Sequence, residues 1–76
     1  MNKDPKKIYC EWLDASTHAG WHKAEETDLV LVKTLGWLMF EDKEKITVAA
    51  SYDENRYCVS SNTIPKKWIK KRRYIR

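Results

Sequence analysis

Basic and aromatic residues are concentrated at the end of this chain and give its clearest chemical signal. From Lys66 to Arg76 the sequence has seven basic residues and no acidic one, with Trp68 and Tyr74 among them. Positive charge binds phosphates and aromatic rings stack on bases, so this combination is typical of single-stranded nucleic-acid binding. A solvated terminal strand would have the same composition. The residues predicted for a nucleic-acid site are Lys66, Lys67, Lys70, Lys71, Arg72, Arg73 and Arg76.

Four tryptophans form a second chemical signal. Trp12 and Trp37 lie on apolar faces of predicted strands, so we expect them in the core. Trp21 lies in a predicted loop and Trp68 follows Pro65, and an indole in such a place can anchor a partner protein. The alternative for Trp21 is that it folds back over the end of the domain. The predicted protein-binding surface comprises Trp21, Pro65, Trp68, Glu25, Glu26 and Asp28.

Catalytic and metal-binding patterns are weak. Cys10, Cys58, His18 and His22 lack the paired spacing of zinc sites. The sequence has no glycine-rich phosphate loop and no nucleophile motif. Asp14 beside a histidine could act as an acid–base pair, but a chain this small has little room for a substrate pocket. We therefore predict a protein that is not an enzyme, binds no metal or cofactor, and keeps both thiols reduced.

Length and charge limit the class of protein. The 76 residues suffice for one domain, which we place at 7–76 after a flexible tail at 1–6. The net charge is +4, and the basic end is compatible with nucleic acid, an acidic protein patch or a membrane surface as partner. No segment approaches the roughly 20 apolar residues that cross a bilayer, and no signal peptide begins the chain. These features predict a cytoplasmic protein that does not bind membranes.

Alternation of apolar and polar residues predicts five strands. One segment, 21–32, is ambiguous, because Ala24 and Glu25 favour helix whereas 29–32 favours a strand or a buried segment. We expect an excursion there with at most one helical turn. Pro65 restricts its own φ, so a tight 3₁₀ turn is expected after it. The predicted strands are 8–13, 35–41, 46–52, 57–60 and 70–75.

The strands are too short and too few for a sandwich of two large sheets. A small, strongly bent barrel is the economical arrangement, because closing a sheet removes its exposed edges. An edge left by the last strand would instead allow a homo-oligomer to form by strand pairing. The residues expected in or near the core are Ile8, Leu38, Phe40, Ile46, Val48, Val59, Ile64 and Ile69.

The segment Ile64-Pro65-Lys66-Lys67-Trp68-Ile69 resembles the end of SH3 domains, which carry Ile-Pro-x-x-Tyr-Val before a 3₁₀ turn and a closing strand. The strand order and the long first loop are also similar. The paired tryptophans of signalling SH3 domains are missing from the middle strand. The resemblance therefore implies an all-β, five-stranded SH3-like barrel with a 3₁₀ turn before the last strand, and it does not imply proline-peptide binding.

A broader resemblance connects the chain with short tailed-phage and prophage proteins. It rests on Glu11-Trp12-Leu13-Asp14, Gly20-Trp21, Gly36-Trp37-Leu38 and Ile64-Pro65-Lys66. The resemblance implies a phage accessory protein and no particular activity. We expect a protein-binding module that acts on a host or phage protein, with a nucleic-acid-binding barrel as the alternative.

Overall fold

A computed structural model describes residues 4–15 and 29–76, which form five antiparallel strands and one 3₁₀ helix. The predictions of an all-β chain and of five antiparallel strands are confirmed. The 3₁₀ helix, Lys66–Trp68, lies at the place predicted after Pro65. The strands are β1 (Lys6–Ala15), β2 (Leu29–Glu41), β3 (Lys45–Tyr52), β4 (Cys58–Pro65) and β5 (Ile69–Ile75).

Two strands are longer than their sequence pattern predicted. β2 begins at Leu29 and pairs with β1 from there, so the expected excursion over 29–32 is wrong. β4 continues through Asn62 and Thr63, which pair with Val48 and Thr47 of β3 and do not break the strand. Pairing with a neighbouring strand outweighs local propensity in both cases. The helical turn predicted within 21–28 lies outside the described residues.

The sheet has the order β4-β3-β2-β1-β5 and is folded over on itself. The first part of β2 pairs with β1 up to Leu38, whereas β3 pairs with β2 from Trp37 onwards. The long strand β2 therefore joins two three-stranded halves. Ile8 of β1 and Ile46 of β3 belong to one buried cluster although two strand boundaries separate them. The three residues of the 3₁₀ helix also connect Pro65, which pairs with Lys45 of β3, to Ile69, which pairs with Trp12 of β1, so the two halves face each other across the core.

Most of the predicted core is confirmed. Ile8, Ile46, Val48 and Ile64 are fully buried, joined by Cys10 and Trp12, while Leu38 and Ile69 are partly buried against them. Phe40 and Val59 were wrongly placed in the core, since they are 50% and 64% exposed. The β2–β3 register shifts between Leu38 and Phe40, and this bulge removes Phe40 from the regular alternation. Val59 pairs with the exposed Ser51, close to the β3–β4 turn.

The sheet is not closed into a barrel, because no ladder joins β4 to β5 in the described part of the chain. A cluster of charged side chains instead connects β2 with β5 and with the 3₁₀ helix. Glu41 at the end of β2 accepts two hydrogen bonds from Arg72 of β5, both 3.1 Å, and its carboxylate lies 2.7 Å from Lys66 Nζ. Arg72 lies in register with Cys10 and Thr34, and Thr34 is about 23 Å from Glu41 along an extended strand. The contact therefore depends on the curl of the sheet.

Neutralising Glu41 should lower the stability of the protein at neutral pH and leave it almost unchanged in strong acid. The hydrogen bonds from Arg72 and then from Lys66 hold the pKa of Glu41 at about 2, below its ordinary 4.5. Its contribution is therefore present above about pH 4.5 and is lost as the pH falls towards 2. We expect Glu41→Gln to lower the free energy of unfolding by about 1 kcal/mol at pH 7 and to flatten the pH dependence in that window, measured by urea denaturation. The control is Glu54→Gln in the β3–β4 turn, and an identical pH profile for both variants would contradict the prediction.

Candidate nucleic-acid interface

The side of β2, β1 and β5 that points away from the core carries aromatic and basic residues together. Side chains alternate between the two faces of a strand, and residues paired across an antiparallel ladder share a face. Ile8, Cys10 and Trp12 are buried, so the residues between them lie on the opposite side. We call this surface the outer face; its residues are Lys7, Tyr9, Glu11, Leu13, Leu31, Lys33, Leu35, Trp37, Lys71, Arg73 and Ile75.

Two neighbouring rows of the outer face each place a cation beside an aromatic ring. Tyr9 of β1 pairs with Arg73 of β5, whose guanidinium carbon lies 5.6 Å from the centroid of the Tyr9 ring. In the next row Lys7 pairs with Trp37 of β2, and Lys7 Nζ lies 5.9 Å from the centroid of the Trp37 ring. Both distances are within the range of cation–π attraction. The fold therefore joins groups that can bind phosphates to groups that can stack on bases.

The outer face is positively charged. Its described residues include four exposed cations and one carboxylate, Glu11, which lies in register between Lys33 and Lys71. The Tyr9 hydroxyl donates a 2.5 Å hydrogen bond to Glu11, and this bond is the main reason that the pKa of Tyr9 is raised. Tyr9 is uncharged at neutral pH, as a phenol is well below its pKa, and does not repel phosphates.

The basic run predicted from the sequence is divided between two sides of the sheet. Lys71 and Arg73 lie on the outer face, whereas Arg72 is on the core side and binds Glu41 together with Lys66. Lys67 and Lys70 are exposed, and Arg76 follows the end of β5. Most of these residues belong to a strand that is hydrogen-bonded to β1, so the run is an ordered part of the sheet.

The protein-binding residues predicted from the sequence are only partly within the described chain. Trp68 stacks on Trp12, with ring centroids 6.4 Å apart and planes inclined by 16°. It packs against the core and is partly buried, which leaves only part of the ring for a partner. Pro65 ends β4 just before the 3₁₀ helix. The other predicted residues, Trp21, Glu25, Glu26 and Asp28, lie outside the described residues.

Sequence reasoning missed Lys7, Tyr9 and Trp37 as members of one surface. The alternation in β1 placed Tyr9 on the opposite side of the strand from Ile8 and Cys10. It predicted no function for the side that carries Tyr9. Trp37 was expected in the core together with Trp12. It is instead half-buried, with its ring edge-on to Tyr52 at 5.5 Å. The alternation was the available signal for Tyr9, whereas its pairing with Arg73 and that of Lys7 with Trp37 depend on strand register.

The thiols are free and lie in different environments. Cys10 is fully buried, and burial raises the pKa of its thiol, so the reactive thiolate is disfavoured. Cys58 is exposed at the start of β4. Within residues 4–15 and 29–76, no group of three or more His, Cys, Asp or Glu could hold a metal ion. His18 and His22 lie outside the described residues.

Comparisons with known proteins found no relative of this chain. No protein-family model matches it, and no match was found among curated proteins or solved structures. In the described part of the chain, no helix has the length and apolar character to cross a membrane. The geometry and charge of the outer face are therefore the features from which a function can be inferred.

Proposed function

We propose that this protein binds single-stranded nucleic acid through the outer face. The observation that carries the proposal is the pair of adjacent rows in which Tyr9 lies beside Arg73 and Trp37 beside Lys7. Sheets that bind single strands use aromatic side chains as stacking platforms for bases and surrounding cations as partners for phosphates. The outer face has both kinds of group on ordered strands.

The spacing of the two rings supports binding of an extended strand. Tyr9 and Trp37 lie on neighbouring strands in successive rows, a diagonal relation of about 7–8 Å. Two bases of an unstacked strand can therefore lie on separate rings. Lys33 and Lys71 extend the positive surface beyond this pair, so further phosphates would be neutralised along the same face.

Salt dependence tests this proposal directly. A fluorescently labelled oligothymidylate should bind with an affinity that falls steeply between 50 and 200 mM salt, because each neutralised phosphate releases counterion. Lys71→Gln/Arg73→Gln should weaken binding at least tenfold and reduce the salt slope by about 1.4. The control, Lys43→Gln/Lys45→Gln, removes the same charge from exposed sites at the β2–β3 turn and the start of β3 and should keep most of the affinity.

Stacking is tested by the same titration with variants of Tyr9. Tyr9→Ala should cost about 1–3 kcal/mol of binding free energy, whereas Tyr9→Phe keeps the ring and should bind nearly as the unmodified protein does. Binding that is insensitive both to Tyr9→Ala and to the charge replacements would contradict the outer face as the interface. An absence of binding at 50 mM salt would refute the proposed function.

A protein-binding role in a phage or prophage is a second proposal, favoured by exposed aliphatic side chains on β2. Leu29, Leu31 and Leu35 are 47–65% exposed and lie on one side of β2, an apolar strip that could contact a host or phage protein in the cytoplasm. Pro65 and the free part of Trp68 would belong to a separate contact. Affinity purification from host lysate distinguishes the proposals, since nuclease treatment removes partners held through nucleic acid and retains direct protein partners.

The finer fold assignment, an SH3-like barrel, is also a proposal. It is supported by a first strand that lies between the second and the fifth, and by the 3₁₀ helix at Lys66–Trp68 before β5. The folding of β2 into two half-sheets is a further similarity. The open edge between β4 and β5 is the difference from a closed barrel.

A further inference from the structure

A groove lies where the beginning of β1 meets the end of β5. Its volume is about 670 Å³, within the range of small-molecule sites. It adjoins the outer face at Lys7 and Trp37, which belong to both surfaces, and extends around the end of the sheet to Lys6 and Tyr74, which are in register with core-side residues. The residues that line it are Pro5, Lys6, Lys7, Trp37, Tyr74, Ile75 and Arg76.

The groove combines positive charge with two aromatic rings. Lys6 Nζ lies 5.2 Å from the centroid of the Tyr74 ring, and Lys7 Nζ lies 5.9 Å from that of Trp37. Arg76 adds a third cation, and none of the described residues that line the groove is acidic. A small inorganic anion would use only the cations, whereas a ligand with a flat ring and a negative charge would use both kinds of group.

We propose that this groove binds one nucleotide unit, with its base against the Trp37 ring of the outer face and its phosphate between the basic side chains. The inference rests on the proposed function, because the groove would hold the nucleotide at this end of a strand bound to the outer face. Pro5 is buried and Ile75 half-buried, which supplies an apolar wall for the base. The ammonium group of Lys7 stands over the Trp37 ring, and a base that stacks there releases it to the phosphate.

Titration with small ligands tests the groove separately from the outer face. Adenosine 5′-monophosphate should shift the NMR signals of the Trp37 indole and of the backbone amides at 6–7 and 74–76 in a saturable manner. Adenosine, which lacks the phosphate, and ribose 5-phosphate, which lacks the base, should each bind at least tenfold more weakly. Lys6→Gln/Arg76→Gln should weaken binding of the nucleotide at least tenfold, whereas Lys43→Gln/Lys45→Gln should leave its affinity unchanged.

The outcomes separate this inference from the proposed function. Ribose 5-phosphate binding as tightly as the nucleotide would overturn the inference, as would an absence of saturable shifts. If the oligonucleotide binds and depends on Lys71 and Arg73 while the mononucleotide does not bind, the groove assignment fails and the proposed function stands. If the mononucleotide binds and the oligonucleotide does not, the groove assignment stands and the proposed function fails.

Discussion

Replacing Gly36 with alanine should lower the free energy of unfolding by about 3 kcal/mol, and replacing it with valine should prevent folding. A Cβ atom on Gly36 would lie 2.5 Å from the carbonyl oxygen of Ala49 and 2.9 Å from Cγ1 of Val48. Both neighbours are buried, so they cannot move away without disturbing the core. Gly36 precedes Trp37, the residue at which β2 pairs with both β1 and β3. The backbone of β3 lies close to Gly36 at this point of the sheet.

Urea denaturation followed by circular dichroism measures the effect. The control is Leu35→Ala, one residue away on β2, whose side chain is exposed on the outer face. It should change the free energy of unfolding by only a few tenths of a kcal/mol. A Gly36→Ala variant as stable as the unmodified protein would show that β3 does not approach β2 in this way.

Ile64→Ala should destabilise the protein by about 2–5 kcal/mol, because it leaves a cavity in the core. Ile64 is fully buried and lies opposite Ile46, which is also fully buried. Val59→Ala, on the same strand, should change the stability by no more than about 0.5 kcal/mol, since Val59 is largely exposed. The same denaturation experiment measures both. Equal losses for the two variants would contradict the assignment of Val59 to the surface.

Binding tests require variants that do not also destabilise the fold. The variants designed for the binding tests replace exposed residues, such as Lys71 and Arg73, and should leave the core intact. Truncation of Trp37 would also affect packing, because its ring contacts Tyr52 as well as lining the groove. A loss of binding in the chosen variants therefore reports on the interface.

The features that depend on near neighbours in the chain could be predicted from the sequence alone. The alternation of apolar residues predicts strands around Ile8, Ile46 and Val48, because a two-residue period places every second side chain on one face. Pro65 predicts the 3₁₀ helix that follows it, because the ring limits φ. The same local rules correctly placed Ile64 in the core.

The features that depend on strand register could not be predicted from the sequence and are seen only in the folded sheet. β2 begins at Leu29 because β1 is available to pair with it, and Phe40 leaves the core because a bulge shifts the β2–β3 register. The outer face depends on register as well, since Tyr9 meets Arg73 across a ladder whose strands are far apart in sequence. Local composition does not encode such pairings, because they are selected by the free energy of the whole folded sheet.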